Sequence, residues 1–325
     1  MFLSVRLLGS GAFIPDCRVT ADDLDRKLGL KPGTALARNG VRTRYFANET
    51  ETASVMSARA IQQALEAAGL SADDLDAILF SGVMSEQPMP ATAVLIHKQL
   101  RCGNAAMTCF DINASCIGFL KGFEIAANAI HNGMWRRVAI VAAEIASKGL
   151  NWKDTDTCTL FGDGSGAVIL GPSTDDSGIL VSRSMTVSEG SDLCVMRAGG
   201  SRYNMRTPPP DELDYLFAMN GRGVLRLIRS ELPPFYESVL ADAGGDVSLI
   251  VPHQASAVGL AYFRKVLARK IPVIEILSEY GNQVSASLPV ALDRAIRKNA
   301  IQRGDKVMLL GTAAGLAMSG IVFRY

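Results

Sequence analysis

Along this chain, stretches in which apolar residues alternate with polar ones take turns with longer stretches in which they recur at helical spacing. Residues 3–9 read as a first strand, and a Gly/Pro turn leads to a short helix near Thr20–Lys27, with Thr20 placed to cap it and Asp22 and Asp23 in its first turn. A helix from Ala53 to Ala68 stops at Gly69, and residues 76–83 form an apolar strand. After the turn at Pro88–Pro90 the pattern predicts a helix over 91–100, a strand over 106–112, a helix from Cys116 to Ile130, a strand over 137–143 and, across 160–170, a Gly-rich turn into a strand. The Cys116 helix is apolar around most of its circumference, as a helix enclosed by protein must be.

The second half repeats this order. A helix ending in Ala243-Gly244 and the strand Val247–Ile250 echo the helix ending in Ala68-Gly69 and the strand at 76–79. The helix 91–100 returns at 255–269, the Cys116 helix at Gly281–Ser287, and the strand 137–143 at 305–310. The turn-rich Pro172–Gly178 marks the boundary, giving an N-terminal half over 1–172 and a C-terminal half over 173–325. Corresponding strand ends would then face each other, and residues near 116, 253 and 282 would meet in one site.

With 325 residues, 48% hydrophobic and 20% charged, the composition is that of an ordinary globular chain. A net charge of +1 speaks against nucleic-acid binding through a basic face. Six cysteines without a Cys-x-x-Cys pair suggest neither a metal site nor a disulfide framework, and fit a reducing cytoplasm. The N-terminus carries no basic leader, and no apolar run reaches the roughly 20 residues of a membrane helix, so neither secretion nor a membrane is expected.

Cys116 stands where the strand ends and the helix begins, in Asp111-Ile112-Asn113-Ala114-Ser115-Cys116-Ile117-Gly118. A helix start offers unpaired N–H groups and the positive dipole end, which favour thiolate and make Cys116 a candidate nucleophile; a structural buried thiol is the plain alternative. Gly118 is expected to admit another backbone or a substrate. Of three histidines, His97 and His131 sit at helix-surface or helix-end positions, whereas His253 follows the strand Leu249-Ile250-Val251 and Pro252, and so projects from a strand end, where α/β proteins do ligand chemistry. Asn282 alone reads as a turn or capping residue. Together the three make a set for thioester chemistry: a thiol that takes an acyl group and two N–H donors that polarise a second thioester. Arg38, Arg42 and Arg44 cluster in a loop and are either solvated or placed for phosphate. Gly9-Ser10-Gly11 follows a strand, but Ile14 stands where a dinucleotide fingerprint needs its third glycine.

On these residues the chain resembles the β-ketoacyl-acyl carrier protein synthase III family of thiolase-fold condensing enzymes. The likeness runs through Asp111–Phe119, Phe161-Gly162-Asp163-Gly164, Val251-Pro252-His253-Gln254-Ala255, Gly281-Asn282-Gln283 and Gly311-Thr312-Ala313-Ala314-Gly315, and covers nearly the whole chain. It implies a five-layered αβαβα thiolase-like fold of two duplicated halves, no cofactor, and a ping-pong mechanism. Cys116 would take the acyl group from acyl-CoA or acyl carrier protein, with the backbone N–H groups of Cys116 and Ala314 as oxyanion hole. His253 and Asn282 would polarise malonyl carrier protein for decarboxylation. It also implies a homodimer in which Met89 closes the acyl pocket across the interface, with Thr312 at the pocket wall. The chain departs from the family pattern in having no aromatic residue in Pro32–Arg38, Ser256 and Val258 after the histidine motif, and no arginine in Asp154–Cys158. Arg38, Arg42, Arg222 and Ser256 remain to hold CoA or a carrier. The competing expectations are an acyltransferase with a non-malonyl acceptor or a carrier-bound donor, and a silent subunit, against which the intact Cys-His-Asn set counts.

Overall fold

The computed structural model describes residues 2–268 and 270–325. Two five-stranded sheets form its frame. The first runs, in order of neighbours, Arg6–Phe13, Gly164–Gly171, Val138–Glu144, Ala77–Ser81 and Thr108–Ile112; the second runs Leu3–Ser4, Gly178–Gly190, Gly315–Arg324, Lys306–Ala313 and Leu249–Pro252. Both contain an antiparallel three-strand ribbon joined to a parallel pair: Val138–Glu144 lies parallel to Ala77–Ser81, as Lys306–Ala313 does to Leu249–Pro252. The parallel fifth strand of the first sheet, Thr108–Ile112, is reduced in the second to a single bridge between Ile250 and Val273. The repeat read from element order is therefore also a repeat of pairing. One short strand crosses it, because Leu3–Ser4 pairs with Gly178–Ile179 of the second sheet before the chain enters the first.

Alternation along the strands assigns the layers. Leu79, Val138, Ile140 and Ala142 face inward, whereas Ile78, Phe80, Val141 and Ala143 face outward onto the helices Ala53–Ala68 and Thr92–Leu100. The second sheet is covered likewise by Gly221–Asp242 and the segment 257–268, through Leu232, Tyr236, Val239 and Phe263. Between the sheets lie Gly118–His131 and Ser287–Arg297, with Phe119, Phe123, Leu288 and Leu292 in one core. That position between two apolar faces is why the helix after Cys116 is apolar around most of its circumference. The result is the five-layered αβαβα thiolase-like fold.

Local signals hold where caps are explicit. Thr20 and Asp23 cap Ala21–Leu28 reciprocally, and Ala53–Ala68 ends at Gly69 in a left-handed conformation, φ 67°. In the second half the helix expected over 255–269 is α-helical over Ala257–Tyr262 and π-helical over Phe263–Ala268; residue 269 lies outside the described residues. Arg44 departs from the loop expectation. It is fully buried in the strand Thr43–Phe46, donates to the Thr159 carbonyl at 2.7 Å, and burial pushes its pKa down to about 10.

The Gly9-Ser10-Gly11 stretch serves packing. A Cβ on Gly9 would sit 2.2 Å from the Ala64 carbonyl oxygen, and one on Gly11 2.4 Å from that of Ala60, so the helix Ala53–Ala68 rests directly on the strand backbone. Gly9→Ala is expected to destabilise the fold by about 1–3 kcal/mol, as overpacking does, read as a lower midpoint in urea unfolding at unchanged slope. An unchanged midpoint would contradict the close approach.

Candidate active site

The same elbow occurs in both halves, after the strand Thr108–Ile112 in the first and after the short helix Leu277–Tyr280 in the second. In the first, Asn113 Oδ1 accepts from the Ser115 N–H at 3.1 Å, Ser115 takes φ 50°, and a 3-10 turn Ser115–Ile117 leads into the helix at Gly118. In the second, Asn282 Oδ1 accepts from the Val284 N–H at 2.8 Å, Val284 takes φ 51°, and the turn Val284–Ala286 leads into the helix at Ser287. Cys116 and Ser285 are counterparts, as are Asn113 and Asn282. The cysteine thus stands in the elbow ahead of the helix rather than in its first turn. Gly118 is required by Ser81: a Cβ there would lie 2.1 Å from the Ser81 Oγ, so the close approach comes from a neighbouring strand end and not from a substrate.

His253 follows the strand Leu249–Pro252 and is held by its N–H, which donates to the Leu310 carbonyl at 2.8 Å. Gln254 fixes the same loop. Its Nε2 donates to the Pro252 and Ile274 carbonyls, and its Oε1 accepts from the Ile276 and Leu277 N–H groups, so the whole amide is spent on backbone. Asn282 is anchored by its N–H to the Leu160 carbonyl at 3.0 Å and by Nδ2 to that of Ala255 at 3.1 Å. One Nδ2 proton then remains for a ligand. Asp163 organises the Gly-rich turn, accepting from the N–H groups of Ala47 and Ser147 and from the Ser147 hydroxyl at 2.6 Å.

The side chains of Cys116, His253 and Asn282 share the wall of a cavity of about 170 Å3 with Thr312 and Ala314. The remaining wall is mostly apolar, with Met84, Leu193, Met196 and Phe217 among its members. Burial pushes the His253 pKa down to about 4, so the imidazole is neutral at physiological pH, and its Nδ1 is buried without a partner. Burial pushes the Cys116 thiol up to about 12, with Glu144 and Cys194 adding to the rise and the N–H groups of Ala314 and Cys116 itself opposing it. The expected lowering is thus overturned for the free site. The N–H groups of Ala314 and Cys116 act in the expected direction, but burial outweighs them.

Other expected positions lie apart. Arg38 pairs with Asp156 and donates to Thr155 Oγ1 at 2.7 Å, Arg42 Nε donates to Ser278 Oγ at 3.0 Å, and Arg222 is exposed at the start of Gly221–Asp242; none of them lines the cavity. Ser256 caps the helix Ala257–Tyr262 by accepting from the Gly259 N–H at 3.1 Å. Met89 is 83% exposed and stands away from its own chain's cavity. Glu144 was missed. It lines the cavity at the end of a strand otherwise wholly apolar, and that single charge in an apolar run was the available signal. Among the described residues no His, Cys, Asp or Glu cluster could hold a metal, and no helix is long and apolar enough to cross a membrane.

Comparison with known proteins places this geometry in a family. The family model for 3-oxoacyl-acyl-carrier-protein (ACP) synthase III matches residues 110–189, and that for its C-terminal part matches 243–325. Among similar proteins, the β-ketoacyl-acyl-carrier-protein synthase III of Caldanaerobacter subterraneus is 32% identical, over 99% of this chain and 98% of its own, and that of Aquifex aeolicus is 31% identical, over 99% and 100%. The crystal structure of the Aquifex aeolicus 3-oxoacyl-acyl-carrier-protein synthase III superposes with a TM-score of 0.87 at 30% identity, covering 99% of this chain and 100% of that one. The priming β-ketosynthase of a polyketide biosynthetic pathway gives 0.89 at 29%, covering 98% and 96%. With its elbow cysteine, strand-end histidine and paired asparagine in one cavity, the chain belongs to the β-ketoacyl-acyl-carrier-protein synthase III family.

Proposed function

We propose that this enzyme loads an acyl group from a thioester onto Cys116 and condenses it, with loss of CO2, with malonyl carrier protein in fatty-acid or related biosynthesis. The observation that carries this reading is the single cavity in which Cys116, His253 and Asn282 meet while two backbone N–H groups converge on the cysteine sulfur. Sγ attacks the donor carbonyl, and the N–H groups of Cys116 and Ala314 hold the tetrahedral oxyanion. After the acyl group is in place, malonyl thioester presents its carbonyl oxygen to the imidazole N–H of His253 and the free Nδ2 proton of Asn282. These donors stabilise the enolate formed as CO2 leaves. A neutral imidazole suits that task, because it donates a hydrogen bond without protonating the carbanion.

Several features support a donor delivered on a carrier protein. Arg38 and Arg42 are engaged with Asp156 and Ser278, Ser256 is spent as a helix cap, and no lysine or arginine lines the cavity among the described residues. Intact-protein mass spectrometry with a panel of acyl-CoA and acyl carrier protein thioesters, followed by malonyl carrier protein, tests both steps. A single acyl adduct that disappears with CO2 and ketoacyl product is the expected result. An adduct that ignores malonyl carrier protein sinks the condensing reading and leaves acyl transfer to another acceptor.

The same reading includes a homodimer. Thr108–Ile112 is an edge strand, and Met84 and Met89 lie exposed nearby in sequence on the loop after the adjoining strand Ala77–Ser81. Gel filtration is expected to give the dimer mass, and a fully active monomer would remove Met89 from the acyl pocket. The six free cysteines fit a cytoplasmic enzyme.

A further inference from the structure

Most of the wall beside Cys116 is held by contacts that cannot yield. Phe217 donates its N–H to the Gly149 carbonyl at 2.9 Å and is bridged by Leu150, so the short ribbon of Cys194–Val195 and Ala218–Met219 is fastened to the segment that follows the strand Val138–Glu144. Phe161 packs edge-on against Phe217, with ring centroids 5.2 Å apart. At Gly190, also on the wall, a Cβ would lie 2.7 Å from the Leu316 Cβ. Backbone, rings and first side-chain carbons packed this closely keep one shape.

Gly149 differs. A Cβ there would first meet the free ends of two methionines, Met196 Cε at 3.0 Å and Met84 Sδ at 3.6 Å. All three residues line the cavity. Met84 comes from the loop after the strand Ala77–Ser81 and Met196 directly follows Cys194–Val195, so segments far apart in the chain bring their thioethers to one glycine. Met219 of the ribbon adds a third methionine to the wall. Unbranched thioether side chains adapt to the shape of an apolar guest. The fixed contacts therefore set the outline of the cavity, and the methionine ends set how much hydrocarbon it admits.

We propose that the acyl group taken up by Cys116 is an unsubstituted hydrocarbon chain of about six carbons, and that Met196, lying with Met84 on Gly149, limits its length. This deepens the reading above and rests on Cys116 as the acylated residue. Loading exchanges one thioester for another: the Sγ–acyl bond forms, the donor C–S bond breaks, and the donor thiol leaves with the proton of Cys116. It precedes malonyl entry, so the chain has the whole cavity of about 170 Å3. An apolar cavity of about 150 Å3 holds a benzene ring, and six carbons fill this one in the same way. An acetyl group would leave most of the apolar wall uncovered. A chain ending in a carboxylate would be buried without a partner, because among the described residues no lysine or arginine lines the cavity and its one acidic side chain, Glu144, is of the same sign.

The test is a loading competition on the whole enzyme. Straight-chain acyl groups from acetyl to dodecanoyl are offered together, in separate runs on carrier protein and on CoA, and the adduct on Cys116 is read by intact-protein mass before any malonyl carrier protein is added. Loading is expected to rise about four-fold with each methylene from acetyl to hexanoyl, roughly 10²-fold in all, and to fall again by about eight carbons. Hexanoyl should outload adipoyl, the same chain ending in a carboxylate, by at least about 10²-fold. Met196→Ala should move the optimum to about eight carbons, since its neighbours reclaim only part of the space that a truncated side chain leaves. Acetyl or adipoyl loading within about two-fold of hexanoyl would overturn the proposal on the wild type alone, whether or not the variant folds. An acylated Met196→Ala with the wild-type length profile would overturn the role of Met196. A hexanoyl adduct that malonyl carrier protein never consumes would instead bring down the condensing reading while supporting the acyl seat.

Discussion

Cys116→Ala is expected to lose acyl-enzyme formation completely, with no acyl adduct from any thioester that loads the wild type. The elbow explains why no neighbour substitutes. Only the sulfur of Cys116 has the N–H groups of Cys116 and Ala314 directed at it, so only an attack from that atom places the developing oxyanion on two fixed donors. Cys194 shares the cavity wall, but it belongs to the short ribbon Cys194–Val195 rather than to an elbow. A thiol without an oxyanion site is a poor nucleophile towards a thioester. The measurement is the intact mass of wild type and variant after exposure to the same donor, with thermal unfolding compared to show that the fold persists. Because alanine removes one sulfur from a partly buried position on the cavity wall and adds no bulk, stability should change little. A stoichiometric adduct on Cys116→Ala would reassign the nucleophile and with it the whole reaction scheme.

What could be read from the sequence divides along a physical line. The ends of Ala53–Ala68 were legible because a capping threonine and a glycine able to take positive φ are local signals. The duplication was legible because element order survives when side chains do not, and it brought Cys116, His253 and Asn282 to one site before any coordinates. The elbow was not. Positive φ at Ser115 and Val284 is imposed by tertiary packing on residues that do not favour it, so the helix begins two residues later than the pattern predicts, after a 3-10 turn that holds the cysteine. Arg44 looked like a loop cation because burial of an arginine depends on what folds over it, here the carbonyls of Val41 and Thr159. Glu144 was passed over for a related reason: at the end of the strand 138–144 a charge resembles the onset of a turn, and only the opposing half shows that it faces the cavity. The Leu3–Ser4 crossing has no local signal, since both sheets accept the same alternation.

His253→Ala and Asn282→Ala are expected to acylate as the wild type does and then stall, each losing about 10²–10³-fold in condensation rate, the usual consequence of removing one donor from a developing oxyanion. Both side chains line the cavity with Cys116 but hang from different supports, His253 from the Gln254-locked strand end and Asn282 from the second elbow. Acylation does not use the donors of either, so a full adduct doubles as proof of folding. The two should differ in stability. Asn282→Ala gives up the bond from the Val284 N–H at 2.8 Å, worth about 1 kcal/mol, and loosens the elbow. His253→Ala should make the protein less sensitive to acid. The unfolded chain takes up a proton at the ordinary 6.5 and the folded imidazole only near 4, so the native state loses stability as pH falls through that window, and alanine removes the loss. For the same reason the condensation rate of the wild type should show no limb from His253 between about pH 5 and 8. Release of labelled CO2 from malonyl carrier protein, measured on preformed acyl-enzyme, reads this step alone. Wild-type release from either variant would remove that residue from decarboxylation and leave the other donor to hold the enolate.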